Sequence, residues 1–301
     1  MKLGTVKYQG APRVALAEGS EAVRLLPESA SDAVTLIAAG ASAIEAAAAD
    51  GTVVPLGDVS LMAPIQRFSR DVLCSGWNYW DHFEESKGKR EGQDVDRPKA
   101  PTFFTKSPYV VIGPNDDIPH DPHLSAKWDY EAEIGLVIGK QCRNLSKANA
   151  RDAIFGYFLA NDTSQRDLQR RHGGQWLKGK SMDGTMPMGP WIVTPDELDI
   201  DNARLELELN GEVMQSASVQ QMAFPIEELL AELSFGMTLM PGDILITGTP
   251  AGIGNAREPA VFFKPGDEMV VRATGLGELR NKVVAANLHE GTDVRNMSAA
   301  E

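Results

Sequence analysis

Cysteine is almost missing from this chain, with only Cys74 and Cys142 in 301 residues. Two cysteines cannot build a disulfide framework, and a reducing, cytoplasmic setting suits them best. Positive charge is also short. Lys and Arg number 29 against 42 Asp and Glu, for a formal charge of −13. Such a surface repels phosphate backbones and anionic membranes, so neither nucleic acid nor a membrane is an expected partner. An anionic substrate would need a locally positive pocket made by Lys, Arg or a metal. No apolar run reaches the ~18 residues that a membrane helix requires. Met1–Val6 lacks the apolar core of a signal peptide.

What is present is an ordinary globular composition, 43% hydrophobic, long enough to bury a substantial core. Residues 1–65 read as a small unit. Short strand-like runs at Lys2–Val6, Arg13–Ala17 and Ala22–Leu26 precede an alanine-rich amphipathic stretch, Ser31–Ala49, predicted as one helix. Pro64 marks a boundary. Residues 66–301 are richer in strands. Asp71–Cys74, Ile134–Ile138, Gly156–Ala160, Asp243–Thr247 and Glu268–Ala273 read as strands. Tyr79–Lys87, Lys147–Ile154 and Pro225–Phe235 read as helices. Asn210-Gly211 between Leu205–Leu209 and Glu212–Met214 signals a hairpin. Long strand runs with few helices, rather than regular β-α-β alternation, predict an α+β or mixed β-roll architecture.

Four segments carry chemistry. Glu131 and Glu133 are two apart beside an apolar strand, so their carboxylates share one face. Asp162 ends a second apolar run. Three carboxylates without Cys or His suit a hard ion, Mg²⁺, Mn²⁺ or Ca²⁺. Read alone, Glu-x-Glu fits a solvated strand face better than a metal site. His82 and Glu85, three apart on a helical turn, meet. They form either a carboxylate-oriented general base or an exposed histidine on an acidic surface. Lys180 closes Gly174–Ser181, a letter-for-letter match to the P-loop pattern. Its polar flank before and Pro187 after disfavour a nucleotide site, and leave Lys180 as a single charge for a carboxylate or enolate oxygen. Thr247–Gly254 reads as an anion-binding loop or a plain tight turn. His120 and His123 form H-x-x-H without a third ligand nearby in sequence, and read as surface.

Taken in order, these segments resemble the fumarylacetoacetate hydrolase family from about Asp71 to Val284. Gly76-Trp77-Asn78-Tyr79-Trp80-Asp81-His82-Phe83-Glu84-Glu85 is similar to its G-x-N-Y-x-x-H-x-x-E. Pro101–Lys106 resembles P-x-F-F-x-K, and Asp129–Glu133 resembles its metal-binding strand. Asn161–Gln169 resembles N-D-x-T-x-R-D-L-Q, with Ser164 in place of the usual Thr. Lys180–Asp183 with Pro187–Trp191, and Gly248–Gly254, complete the set. Gly184 stands where many members have Thr.

The resemblance implies a mixed β-sandwich roll with a small N-terminal α+β domain, a homodimer, and bound Mg²⁺ or Mn²⁺. It implies Glu131, Glu133 and Asp162 as metal ligands and His82 with Glu85 as the water-activating pair. It implies Lys180, Arg166, Gln169 and Thr249 as substrate contacts. The expectation that follows is a hydrolase that breaks a C–C bond in a 2,4-diketo acid of the acylpyruvate type, through a pyruvate enolate stabilised by the metal and Lys180. Lys87–Pro98 would serve as a lid. The alternative reaction is decarboxylation of an oxaloacetate-like acid, or isomerisation or hydration of a 2-hydroxydienoate.

Overall fold

The computed structural model describes residues 1–89 and 94–290. Its frame is a large, mostly antiparallel sheet. Across that sheet the strands run Thr52–Pro55, Ala22–Leu25, Ala11–Glu18, Lys2–Tyr8, Met186–Val193, Ile154–Asn161, Ala132–Ile138, Ile244–Ile246, Val72–Gly76 and Thr102–Lys106. A five-stranded sheet, Glu212–Ser218, Arg204–Leu209, Glu268–Ala273, Gly277–Ala285 and Ile118–His120, covers part of it. The mixed α+β expectation holds. Lys2–Tyr8 pairs with Met186–Val193, so the strands of the first 65 residues continue the large sheet.

The strand Ala132–Ile138 is buried along its whole length. Ile134, Leu136 and Ile138 enter a core shared with Leu205, Leu207, Val271 and Leu279 of the second sheet. Val137 faces the other way, into a core with Cys74, Phe158 and Ile246. Apolar contact on both faces fixes the register, because a one-residue slip would turn every side chain over. The same register decides where Glu133 points.

Helix Ile226–Ser234 buries Ile226, Leu229, Leu230 and Leu233, a stripe at helical spacing. Glu227 and Glu228 lie in its first turn, where negative charge suits the helix dipole. Asn210 and Gly211 have φ of 53° and 82°, the pair of positive values that a type I′ hairpin turn requires.

Two expectations change. The helix over residues 31–49 is two helices, Ala33–Ala39 and Ala41–Ala49. Gly40, at φ 90°, turns its N–H back onto Leu36 and Ile37 and ends the first. Lys147–Ile154 is no helix; only a short 3₁₀ turn forms at Ala150–Ala153. So few residues do not repay helix nucleation, and Ile154 already belongs to the central sheet. Met186–Val193 is a full strand despite Pro187 and Pro190, whose missing N–H groups weaken any strand signal. Among the described residues no helix is long and apolar enough to cross a membrane.

Candidate active site

Two neighbouring strands deliver the three acids. In the antiparallel register Ala132 faces Asn161 and Glu133 faces Ala160. Glu131 lies just before one strand and Asp162 just after the other. Asp162 N–H donates to the Glu131 carbonyl at 2.8 Å. The Asn161 side chain accepts from Glu131 N–H at 3.0 Å. The result is that one carboxylate oxygen from each of Glu131, Glu133 and Asp162 lies within 4.8 Å of the other two, and all three residues are buried.

Cations surround two of these acids. Lys180 Nζ lies 2.6 Å from Glu131 Oε2 and 2.7 Å from Asp162 Oδ2. Arg166 pairs with Glu131 Oε1 at 2.6 Å and donates from Nε to Asp129 Oδ2 at 2.8 Å. Buried Lys106 donates to Asp162 Oδ1, and to the Thr163 carbonyl at 3.0 Å. Glu133 accepts a neutral N–H instead, from Gly248 at 2.7 Å.

The pKa shifts follow that layout. Burial would raise the pKa of Glu131, but the charges of Arg166 and Lys180 outweigh it and hold the carboxyl well below its usual range. Burial raises Glu133, and Asp162 and Glu131 push it further up. Burial would lower Lys180, but Asp162 and Glu131 raise it and keep the ammonium charged. Three buried oxygen donors with no Cys or His among them fit a hard divalent cation.

The candidate base, His82, sits on the helix Trp80–Glu85. His82 Nδ1 lies 2.8 Å from Glu85 Oε1. Glu85 Oε2 accepts from Gly252 N–H at 2.8 Å. His82 is buried, with 6% of its surface exposed, so it is not a histidine on an open acidic surface. Glycine is required at both backbone donors. Gly248 has φ 96°, and a Cβ there would lie 2.7 Å from the Asn78 Cβ. Gly252 has φ 112°, and its Cβ would lie 2.1 Å from the Met214 carbonyl oxygen. Asn78 braces the first of these turns. Its amide donates to the carbonyls of Phe224 and Thr247 at 3.1 and 2.8 Å, and its oxygen accepts from Phe224 N–H at 2.8 Å.

His82, Glu131, Glu133, Arg166, Gln169, Lys180 and Thr249 line one cavity, with about 50 Å³ of open space, room for a few waters. Phe104, Trp77 and Trp176 supply its apolar wall. Gln169 accepts from Arg166 Nη1 at 3.1 Å. The Thr249 hydroxyl donates to the Ala132 carbonyl at 2.9 Å and accepts from Gln215 Nε2 at 2.8 Å. That leaves its remaining lone pair and its backbone for a ligand.

The P-loop pattern is not a P-loop. It follows helix Arg166–Arg171 rather than a buried strand, and Lys180 ends a four-residue helix with its ammonium on the two carboxylates. Residues 90–93 of the expected lid lie outside the described residues. Lys106 and Asp129 were not expected to take part. Both stood in quoted motifs, and the signal for each was a charge beside or within an apolar strand, which burial must pair. His120 is not on the surface: it is 6% exposed and stacks on Trp128 at 4.7 Å.

The family model for the fumarylacetoacetate (FAA) hydrolase C-terminal region matches residues 71–284. The oxaloacetate tautomerase YisK of Bacillus subtilis is 41% identical over 229 residues, 76% of this chain and 74% of that protein. The mitochondrial oxaloacetate tautomerase FAHD2A of Homo sapiens is 41% identical over 241 residues, 79% of this chain and 74% of that protein. A solved fumarylacetoacetate hydrolase from psychrophilic Exiguobacterium antarcticum superposes with a TM-score of 0.82 at 34% identity, covering 95% of this chain and all of that one.

These relatives correct the expected reaction. Hydrolytic cleavage of an acylpyruvate was the leading expectation, yet a bacterial and a mammalian relative at 41% identity are both named as tautomerases of oxaloacetate. The physical reason for the error is that one site serves both chemistries. A hard cation, a base and a lysine stabilise an enolate whether a C–C bond or a C–H bond has been broken.

Proposed function

The chain belongs to the fumarylacetoacetate hydrolase family, and on that premise we propose that it is a divalent-metal-dependent tautomerase of a small α-keto diacid of the oxaloacetate class. The observation that carries this reading is the shared cavity. His82, Glu131, Glu133 and Lys180 line it together, Glu85 holds His82 at 2.8 Å, and Lys180 bridges Glu131 and Asp162.

Glu131, Glu133 and Asp162 would hold Mg²⁺ or Mn²⁺. Such an ion supplies Lewis-acid stabilisation of negative charge on the keto oxygen. The chain's own groups do the rest. His82 donates Nδ1–H to Glu85, which leaves the Nε2 lone pair for the substrate. In the keto-to-enol direction Nε2 takes a proton from C3, and electron density moves onto the C2 oxygen. The Lys180 ammonium stabilises that oxygen, which then takes a proton from water in the cavity, and the proton held on His82 neutralises the hydroxide left behind, so that His82 returns to its neutral form. The reverse reaction returns the His82 proton to C3. Arg166 and Gln169 orient the substrate carboxylates, and the Thr249 turn offers its remaining polar groups. Exclusion of bulk water by Trp77, Trp176 and Phe104 strengthens each of these interactions.

Proton NMR of oxaloacetate in D₂O tests the reaction class. The expected result is enzyme-dependent exchange of the C3 protons for deuterium without loss of carbon. Exchange no faster than in buffer, or stoichiometric release of a cleavage product, would contradict the proposal.

A further inference from the structure

Asp121 and His123, within the H-x-x-H segment that the active site does not use, are joined by a third candidate ligand from far along the chain. Strands Ile118–His120 and Gly277–Ala285 pair in parallel, with Ala285 opposite His120. The segments that follow them therefore leave the sheet side by side. This brings His289 to His123, with ring centroids 4.1 Å apart and planes 33° apart. Both imidazoles turn Nδ1 onto Asp121, which is fully buried. His123 Nδ1 lies 3.2 Å from Oδ1, and His289 Nδ1 lies 2.8 Å from Oδ2. One donor atom from each of the three lies within 4.8 Å of the other two.

The geometry points to a second metal site at Asp121, His123 and His289, separate from the carboxylate cage and selective for a borderline divalent ion such as Zn²⁺. Two imidazole nitrogens and one carboxylate oxygen suit Zn²⁺, whereas Mg²⁺ prefers all-oxygen sites. The nitrogen–oxygen separations approach the edge of a tetrahedron with metal–ligand distances near 2.0–2.1 Å, roughly 3.3 Å. A cation would replace the two N–H protons now shared with the carboxylate. The backbone N–H groups of His123, Leu288 and His289 also donate to Asp121, at 2.9, 2.7 and 3.1 Å. These outer bonds hold the carboxylate in place, as the surroundings of protein metal ligands commonly do. His123 lines a cavity of ≈ 760 Å³, which gives the ion a way in, and three protein ligands leave a fourth position for water.

The test is Zn²⁺ titration of the full chain by calorimetry, with excess Mg²⁺ present to occupy the carboxylate cage. The wild type should bind one Zn²⁺ equivalent under these conditions. His123→Ala and His289→Ala should each weaken that equivalent by about tenfold or more, while tautomerase turnover stays unchanged. The His123 side chain is 69% exposed, so its removal leaves the core intact, and circular dichroism verifies the fold of both variants. With Co²⁺ in place of Zn²⁺, the wild type should show visible ligand-field absorption that both variants lose. Absence of Zn²⁺ binding in the Mg²⁺-loaded wild type would overturn the proposal. So would variants that bind Zn²⁺ as the wild type does, including a case where they only melt earlier because Asp121 is a structural clasp.

Discussion

His82 Nδ1 and Glu85 Oε1 are 2.8 Å apart, and the second oxygen of that carboxylate is held by Gly252 N–H. The imidazole is thus oriented from a fixed backbone point in another part of the chain. His82→Ala should lower kcat about 10²–10⁴-fold while metal binding persists. Glu85→Gln should cost less, because the base remains and only its orientation and charge support are lost. Steady-state kinetics on both variants, with metal affinity measured in parallel, checks this. Wild-type turnover in His82→Ala would remove the base from the mechanism.

Glu133 should behave as a ligand and not as a structural ion-pair partner. Burial together with Asp162 and Glu131 disfavours its charged form. In metal-free protein, Glu133→Gln removes that penalty, so the melting temperature should stay level or rise. Metal affinity should fall in the same variant. A marked loss of stability in the metal-free variant would show that the carboxylate is needed without an ion.

Lys106 is the buried partner of Asp162. Lys106→Met keeps the length of the side chain but leaves Asp162 one cation short. Breaking one side of a buried pair costs about 3–5 kcal/mol, and urea unfolding should read a loss of that order. A variant as stable as wild type would mean that Lys180 alone suffices for Asp162.

Gly248 links the Thr247–Gly254 turn to Glu133. A Cβ at φ 96° would press on the Asn78 side chain at 2.7 Å. Gly248→Ala should shift the N–H that Glu133 accepts and weaken metal binding more than it weakens the fold. Calorimetric metal titration against thermal melting separates the two effects. Unchanged metal affinity would show that the turn gives way elsewhere.

Much of this site was readable in the sequence because its residues cluster in short motifs at strand ends. Glu131, Glu133 and Asp162 stood beside apolar runs whose period fixes the side-chain face. His82 and Glu85 stood one helical turn apart. Other features had no local signal. Lys106 meets Asp162 only through the tertiary fold, since three strands separate Thr102–Lys106 from Ile154–Asn161 in the large sheet. His289 meets His123 only through a parallel strand pair. The split at Gly40 was hidden by alanines that favour a helix on both sides. The reaction itself was the least legible feature, since enolate stabilisation is common to cleavage and tautomerisation.

The most direct measurement is stopped-flow ultraviolet absorbance of freshly dissolved enol-oxaloacetate, followed as it converts to the keto form. With Mg²⁺ or Mn²⁺ present, catalytic amounts of the protein should speed the decay well beyond the buffer rate. Chelator should abolish that acceleration, and added metal should restore it. Decay that the protein leaves unchanged, or accelerates equally well in chelator, would contradict the account.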